Sequence, residues 1–177
     1  MNHQPEILGF LTLMWMVSAT SANADPLAKA RTGSLQCYSP DAVRKTCNAL
    51  AGYTFDHNGK ILNQAEVLLS PQQFIVMKTI SPVEIRGEAV CGPLRKQDVD
   101  AAQIFVQGKS VTDAQAAQLR AQIETSMAAR FGKEVCTTYL PQGNKLTTSV
   151  TVDGVTQPDF AETVIWVHPN EGYKVGP

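Results

Sequence analysis

The chain has 177 residues, of which 44% are hydrophobic and 18% charged, and its formal net charge is −1. That balance fits one ordinary globular domain and excludes bulk disorder. It also argues against nucleic acid as a partner: phosphate recognition needs a basic surplus gathered on one face, and the longest basic clusters are the pairs Arg44-Lys45 and Arg95-Lys96.

In chain order, the N-terminus stands apart. From Ile7 to Ala22, ILGFLTLMWMVSATSA carries no charge, and Ala22 and Ala24 have the small-residue spacing that signal peptidase accepts. We read residues 1–24 as an export signal cut before Asp25. A retained membrane anchor is the alternative, but the apolar run falls short of the ~20 residues that a spanning helix needs. Removing 24 of the 177 residues leaves 153, with 15 basic and 15 acidic side chains, because Glu6 is the only charge lost. Residues 25–177 then form a single α+β domain, periplasmic or secreted, with no stable membrane span after cleavage.

Ser39 as cap and Pro40 at the first helical position predict a helix over about 40–50, with Val43, Cys47 and Leu50 on one face. Tyr38 and Val43 have the spacing of a hydrophobic staple. GYTFD and KILNQAEVLL read as strands joined at Asn58-Gly59, the preferred pair for a two-residue hairpin turn. Ser70-Pro71 and Ser81-Pro82 are breaks on either side of a strand in QQFIVMKTI, and VEIRGEAVCG reads as a strand pair or a bent strand. A short helix from about Asp98 to Phe105 follows, its first turn favoured by Asp98 and Asp100.

The long helix is predicted over about 113–131. Thr112 and Gln115 make a capping box, Ala116, Leu119, Ile123, Met127 and Phe131 form one apolar stripe, and Gly132 supplies the stop. EVCTTYL, KLTTSVTV and AETVIWVHP read as three further strands, with a turn at Asp153-Gly154 and a break at Pro158. Both alternating faces of TVIWV are apolar, so that strand is expected to be central or covered. The expected architecture is an antiparallel sheet built from both halves of the chain, with the long helix and the short N-terminal helix packed on it.

Cys37, Cys47, Cys91 and Cys136 all lie in the exported part, and an even count in an oxidising compartment points to two disulfides. No pair has the C-x-x-C spacing of a redox centre, and His57 and His168 are too few to complete a zinc site. No metal and no cofactor is expected. Four cysteines allow three pairings, and sequence neighbours, Cys37 with Cys47 and Cys91 with Cys136, are preferred. A helix starting at Pro40 conflicts with the first pair, because it sets Cys47 about 12 Å up the axis, whereas a disulfide wants its Cα atoms within roughly 7 Å.

No nucleophile elbow, zinc-protease, phosphate-loop or EF-hand motif occurs. His57 falls in a hairpin turn. Trp166 and His168 share one face of the last strand and are the candidate ligand-binding pair. Glu84 with Glu88, and Asp159 with Glu162, are candidate carboxylate pairs whose spacing only the fold can settle. The preferred reading is an exported, disulfide-stabilised, non-enzymatic domain binding a protein or cell-envelope ligand, as an inhibitor or accessory factor. The alternative is a small envelope hydrolase using carboxylates or His168 in a cleft.

Overall fold

The structure, a computed structural model, describes residues 24–177. The apolar segment Ile7–Ala22 lies outside them. Asp25 to Thr32 forms turns and a short 3-10 helix, Ala30–Thr32. β1 (Leu35–Tyr38), β2 (Thr46–Cys47) and β3 (Ala49–Phe55) follow, then β4 (Ile61–Ser70), β5 (Ile75–Arg86) and β6 (Ala89–Pro93) as a meander. α1 (Lys96–Asp100), β7 (Gln103–Val106), β8 (Lys109–Ser110) and α2 (Asp113–Met127) lead into β9 (Glu134–Gln142) and β10 (Lys145–Val152). β11 (Val155–Thr156), β12 (Thr163–Val167) and β13 (Lys174–Val175) end the chain.

Eight strands close into an antiparallel barrel in the order β4-β3-β1-β12-β10-β9-β6-β5, and β4 pairs with β5 to shut the ring. Strand makes up 47% of the chain. This overturns the expected α+β sheet with helices packed on it. A flat sheet must bury one face under helices, whereas a sheet curled on itself buries its own inner face and leaves no long free edge. The capping box at Thr112 and Gln115 forms and α2 follows it, continuing as a 3-10 turn over Ala128–Arg130. Its Leu119 and Ile123 pack beside the barrel, where β7 extends β5, against Ile75, Met77, Ala102 and Ile104.

The helix expected over 40–50 is also absent. The Asp41 carboxylate accepts from the N–H groups of Val43 and Arg44, both at 2.9 Å. Asp41 and Thr46 exchange backbone hydrogen bonds at 2.8 and 3.1 Å, so the chain doubles back as a hairpin instead of winding on. The conflict over Cys47 disappears with the helix: Cys37 and Cys47 are bonded with their Cα atoms 5.4 Å apart. Cys91 and Cys136 are also bonded, directly opposite one another on β6 and β9. The hairpin after β3 is a four-residue turn, Asp56 to Gly59, with only Gly59 in the left-handed region, closed by Asp56 accepting from Asn58 and Lys60.

β5 runs straight through Ser81-Pro82, which the sequence marks as a break. Its second neighbour changes along its length, β7 beside Ile75 to Lys78 and β6 beside Glu84 to Arg86. Between them Thr79 to Val83 has a ladder partner on the β4 side alone. A proline without an N–H is tolerated where no second ladder asks for one. β6 crosses close to this seam: a Cβ on Gly92 would lie 2.9 Å from the Pro82 carbonyl oxygen.

Strand alternation then sets what the barrel contains. β1 turns Gln36 and Tyr38 inward and Leu35 and Cys37 outward. One part of the interior is filled by Leu27 and Ala30 of the N-terminal turn, packed among Phe55, Ile61, Ile85 and Trp166. Leu27 is fully buried. Outside the wall, Cys37, Cys47 and Val167 form a second buried cluster with Leu35, Leu50, Ile165 and Tyr173. That sheath covers the outer face of β12, as the doubly apolar TVIWV requires.

Candidate functional site

Four inward residues from three separate strands meet inside the barrel. Gln36 and Tyr38 come from β1, Tyr53 from β3 and Tyr139 from β9. The Gln36 amide oxygen lies 2.8 Å from the Tyr53 hydroxyl, 3.1 Å from that of Tyr38 and 3.2 Å from that of Tyr139. The hydroxyls of Tyr38 and Tyr139 are 2.7 Å apart. Gln36 is fully buried, and among the described residues its amide nitrogen has no hydrogen-bond partner. An unpaired buried amide donor costs about 1–3 kcal/mol, so this polar group is a costly way to fill the interior.

The cluster borders a cavity of 220 Å³. Tyr38, Tyr53 and Tyr139 form one wall, and Val83, Val90 and Val135 are among the apolar residues of the rest. Asn63, Ser81 and Thr137 add polar atoms, and among the described residues no charged side chain lines the cavity. Its rim includes Pro82, Pro93 and Leu94, of which Pro93 is exposed, so the cavity meets the surface beside the one-sided stretch of β5. Burial pushes the Tyr38 and Tyr53 phenols well above their ordinary value near 10, and the neighbouring Tyr139 adds to both shifts. Both therefore keep their protons at neutral pH.

Two larger hollows lie elsewhere. A groove of 440 Å³ on the outer wall is lined by Leu35, Leu50 and Ile80 and crossed by the Lys78–Glu66 ion pair at 2.6 Å. A third, of 660 Å³, runs between α2 and the start of β5 and carries six glutamines, among them Gln72, Gln107 and Gln118. Size alone favours these two. The barrel cavity is preferred because it is backed by buried polar groups, one of them unpaired, and a closed barrel of eight strands is about wide enough to hold one small ligand.

The residues nominated from the sequence are scattered. Trp166 is half-buried in the filled part of the barrel, against the cluster of Leu27, Ile61 and Val90. His168 lies just past the end of β12, exposed, where its backbone N–H is accepted by Glu171 at 2.8 Å. Neither lines the cavity or the two grooves. His57 is exposed in its turn. Glu84 pairs with Arg86, which also holds Glu134 at 2.7 Å, while Glu88 is solvent-exposed. Glu162 accepts from the Ser39 hydroxyl at 2.9 Å, and Asp159 is exposed in a separate 3-10 turn. Asp98 and Asp100 are paired with Arg95 and Lys96. Among the described residues, no three His, Cys, Asp or Glu side chains are grouped to hold a metal ion.

Sequence reasoning missed the tyrosine and glutamine cluster. The signal was present in LQCY, where polar Gln36 and Tyr38 alternate with apolar Leu35 and Cys37. Reading the segment as the approach to a helix hid that period of two. Compared with known protein families, with curated proteins and with solved structures, the chain matches none of them.

Proposed function

We propose that this chain is an exported, disulfide-stabilised, non-enzymatic binding domain that takes a small ligand of the cell envelope or its surroundings into the cavity of its barrel. The observation that carries this reading is the contrast inside one ring of strands. Side chains fill the part around Leu27, yet a cavity of 220 Å³ is kept beside a buried polar cluster. Two disulfides and no free cysteine among the described residues suit an oxidising compartment. An apolar cavity of about 150 Å³ takes benzene, so a ring with a short substituent is the expected scale of ligand. Trp166 enters this reading as a neighbour: Tyr53, Tyr139 and Val83 belong both to its packing cluster and to the cavity lining.

A protein partner, the other form of a binder, is favoured by one feature. Val43 stands 95% exposed at the tip of the hairpin that the Cys37–Cys47 bond closes. The test is direct. Protein recovered from its native compartment is denatured in organic solvent and the released material weighed by mass spectrometry, while Trp166 fluorescence is followed on titration with ring-sized probes. The sequence has two tryptophans, Trp15 and Trp166, and only the second survives cleavage before Asp25. One small molecule per chain, or a saturable change at Trp166, is expected. Neither signal, together with a recovered protein partner that Val43→Asp abolishes, would replace this reading with the docking one.

A further inference from the structure

The proton count of the polar cluster narrows the ligand, given the binding reading above. Three phenol hydroxyls supply three protons to four short contacts, three of them to the Gln36 amide oxygen and one between Tyr38 and Tyr139. The Tyr38–Tyr139 contact, at 2.7 Å, takes one proton, since two hydroxyls at that distance need one between them. The other two protons point at Gln36. All three are then turned away from the cavity, and what the phenols can offer inward is oxygen lone pairs.

Asn63 leaves that bias unopposed but does not add to it. It sits opposite Tyr53 across β3 and β4, and one of its two side-chain N–H groups donates to the Gly52 carbonyl at 3.3 Å, which leaves the other N–H and the amide oxygen for either role. The Ser81 and Thr137 hydroxyls can turn to either role. The unpaired nitrogen of Gln36 stands behind the phenols, outside the cavity lining. Charge adds a second filter. With no charged side chain in the lining, an ionic ligand would lose its hydration with nothing to offset the cost.

We infer that the cavity selects a neutral, ring-sized molecule that donates a hydrogen bond, through a hydroxyl or N–H group, to the phenol oxygens of Tyr38, Tyr53 and Tyr139. The cluster works as an acceptor wall because Gln36 holds its protons from behind. Gln36 is thus a positioning residue: it fixes which way the hydroxyls point without touching the ligand.

Three probes of nearly equal size test this on the exported protein: phenol, which donates; benzaldehyde, which only accepts; and toluene, which does neither. Affinities are read from Trp166 fluorescence and checked by calorimetry. Phenol is expected to bind about tenfold more tightly than benzaldehyde, the worth of one neutral hydrogen bond. Tyr53→Phe should shrink that preference, read as the ratio of phenol to toluene affinity, with Tyr139→Phe as the second variant should the first fold poorly. Equal affinities, or benzaldehyde binding most tightly, would overturn the acceptor wall while leaving the cavity as a binding site. Binding of none of the three would overturn the binding reading and this inference together.

Discussion

Two stretches of one barrel interior are treated in opposite ways. Around Leu27, Phe55, Ile61 and Trp166 the ring is packed with apolar side chains, and the plug is brought in from outside the ring by the N-terminal turn. At the level of Tyr38, Tyr53 and Tyr139 the same ring carries hydroxyls, a fully buried glutamine and a cavity. The first stretch shows that this chain can find residues to fill a barrel. The second is therefore a feature of the site, held open against the packing density that interiors normally reach.

The sharpest way to break the comparison is to loosen the cavity wall alone. β6 and β9 carry Val90, Val135, Thr137 and Tyr139 inward, and the Cys91–Cys136 bond ties them on the other face. The bond spans 45 residues, so the chain-entropy model gives it about 4 kcal/mol. Replacing both cysteines by alanine should lower the unfolding free energy by that amount in urea titrations and weaken probe binding. The Cys37–Cys47 bond spans only 10 residues and should cost about 3 kcal/mol when removed, again by the loop-length argument, with the cavity left intact. Equal losses of binding in the two double variants would mean that the cavity depends on the whole barrel and not on its own wall.

The filled stretch is tested at Leu27, which is fully buried. Leu27→Ala should cost about 3 kcal/mol by denaturant titration, as for other large-to-small changes in packed cores. Probe binding at the tyrosine level should survive wherever the variant remains folded. Loss of binding at full folding would show that plug and cavity form one unit.

This division of the interior was invisible in the sequence, and the reason is range. Local features were legible: the Thr112 and Gln115 capping box starts α2, the strand patterns of β4, β9 and β10 stand out, and the cysteines bond with their sequence neighbours. Closure rests on pairings such as Leu35 with Val167, which no local period encodes. The hairpin after β1 was misread because Val43, Cys47 and Leu50 happen to fall at helical spacing. The conflict between that helix and the Cys37–Cys47 bond was the legible warning, and it pointed to a chain that doubles back. The cavity needed both facts at once, since Gln36 and Tyr38 line up with Tyr53 and Tyr139 only after β1 is a strand and the ring is shut.

A smaller change probes the polar stretch itself. Tyr53→Phe removes one of the hydroxyls on the Gln36 amide oxygen and leaves two others within reach. The expected loss is about 1 kcal/mol, the net worth of one hydrogen bond, measured by denaturant titration. Gln36→Leu removes the unpaired amide nitrogen but also the oxygen that the phenols approach, so it should cost about 1–3 kcal/mol while it releases the phenol protons. Loss of the preference for a donor ligand in this variant while it remains folded is the readout that a purely structural cluster would not give.

The mildest probe is alkaline pH, and its sign follows from the buried phenols. Burial raises the folded-state values of Tyr38 and Tyr53 above 10, while the unfolded chain titrates near the ordinary value. Below about pH 10 both states carry these protons and the contribution to stability is constant. Above it the unfolded state releases protons that the folded state retains, so the unfolded chain binds fewer, and stability falls as pH rises toward the folded-state values. Denaturant midpoints measured between pH 9 and pH 11, a window set by that ordinary value of about 10, should therefore drop on the alkaline side. Tyr38→Phe should flatten the drop, because the variant has one fewer proton to lose on unfolding. Leu27 carries no titratable group and leaves Tyr38 and Tyr53 in place, so Leu27→Ala should shift the whole curve downward without changing its slope. A slope that changes with Leu27 instead would place the phenols in contact with solvent once the plug is thinned, and would make the N-terminal turn the seal of the polar cluster.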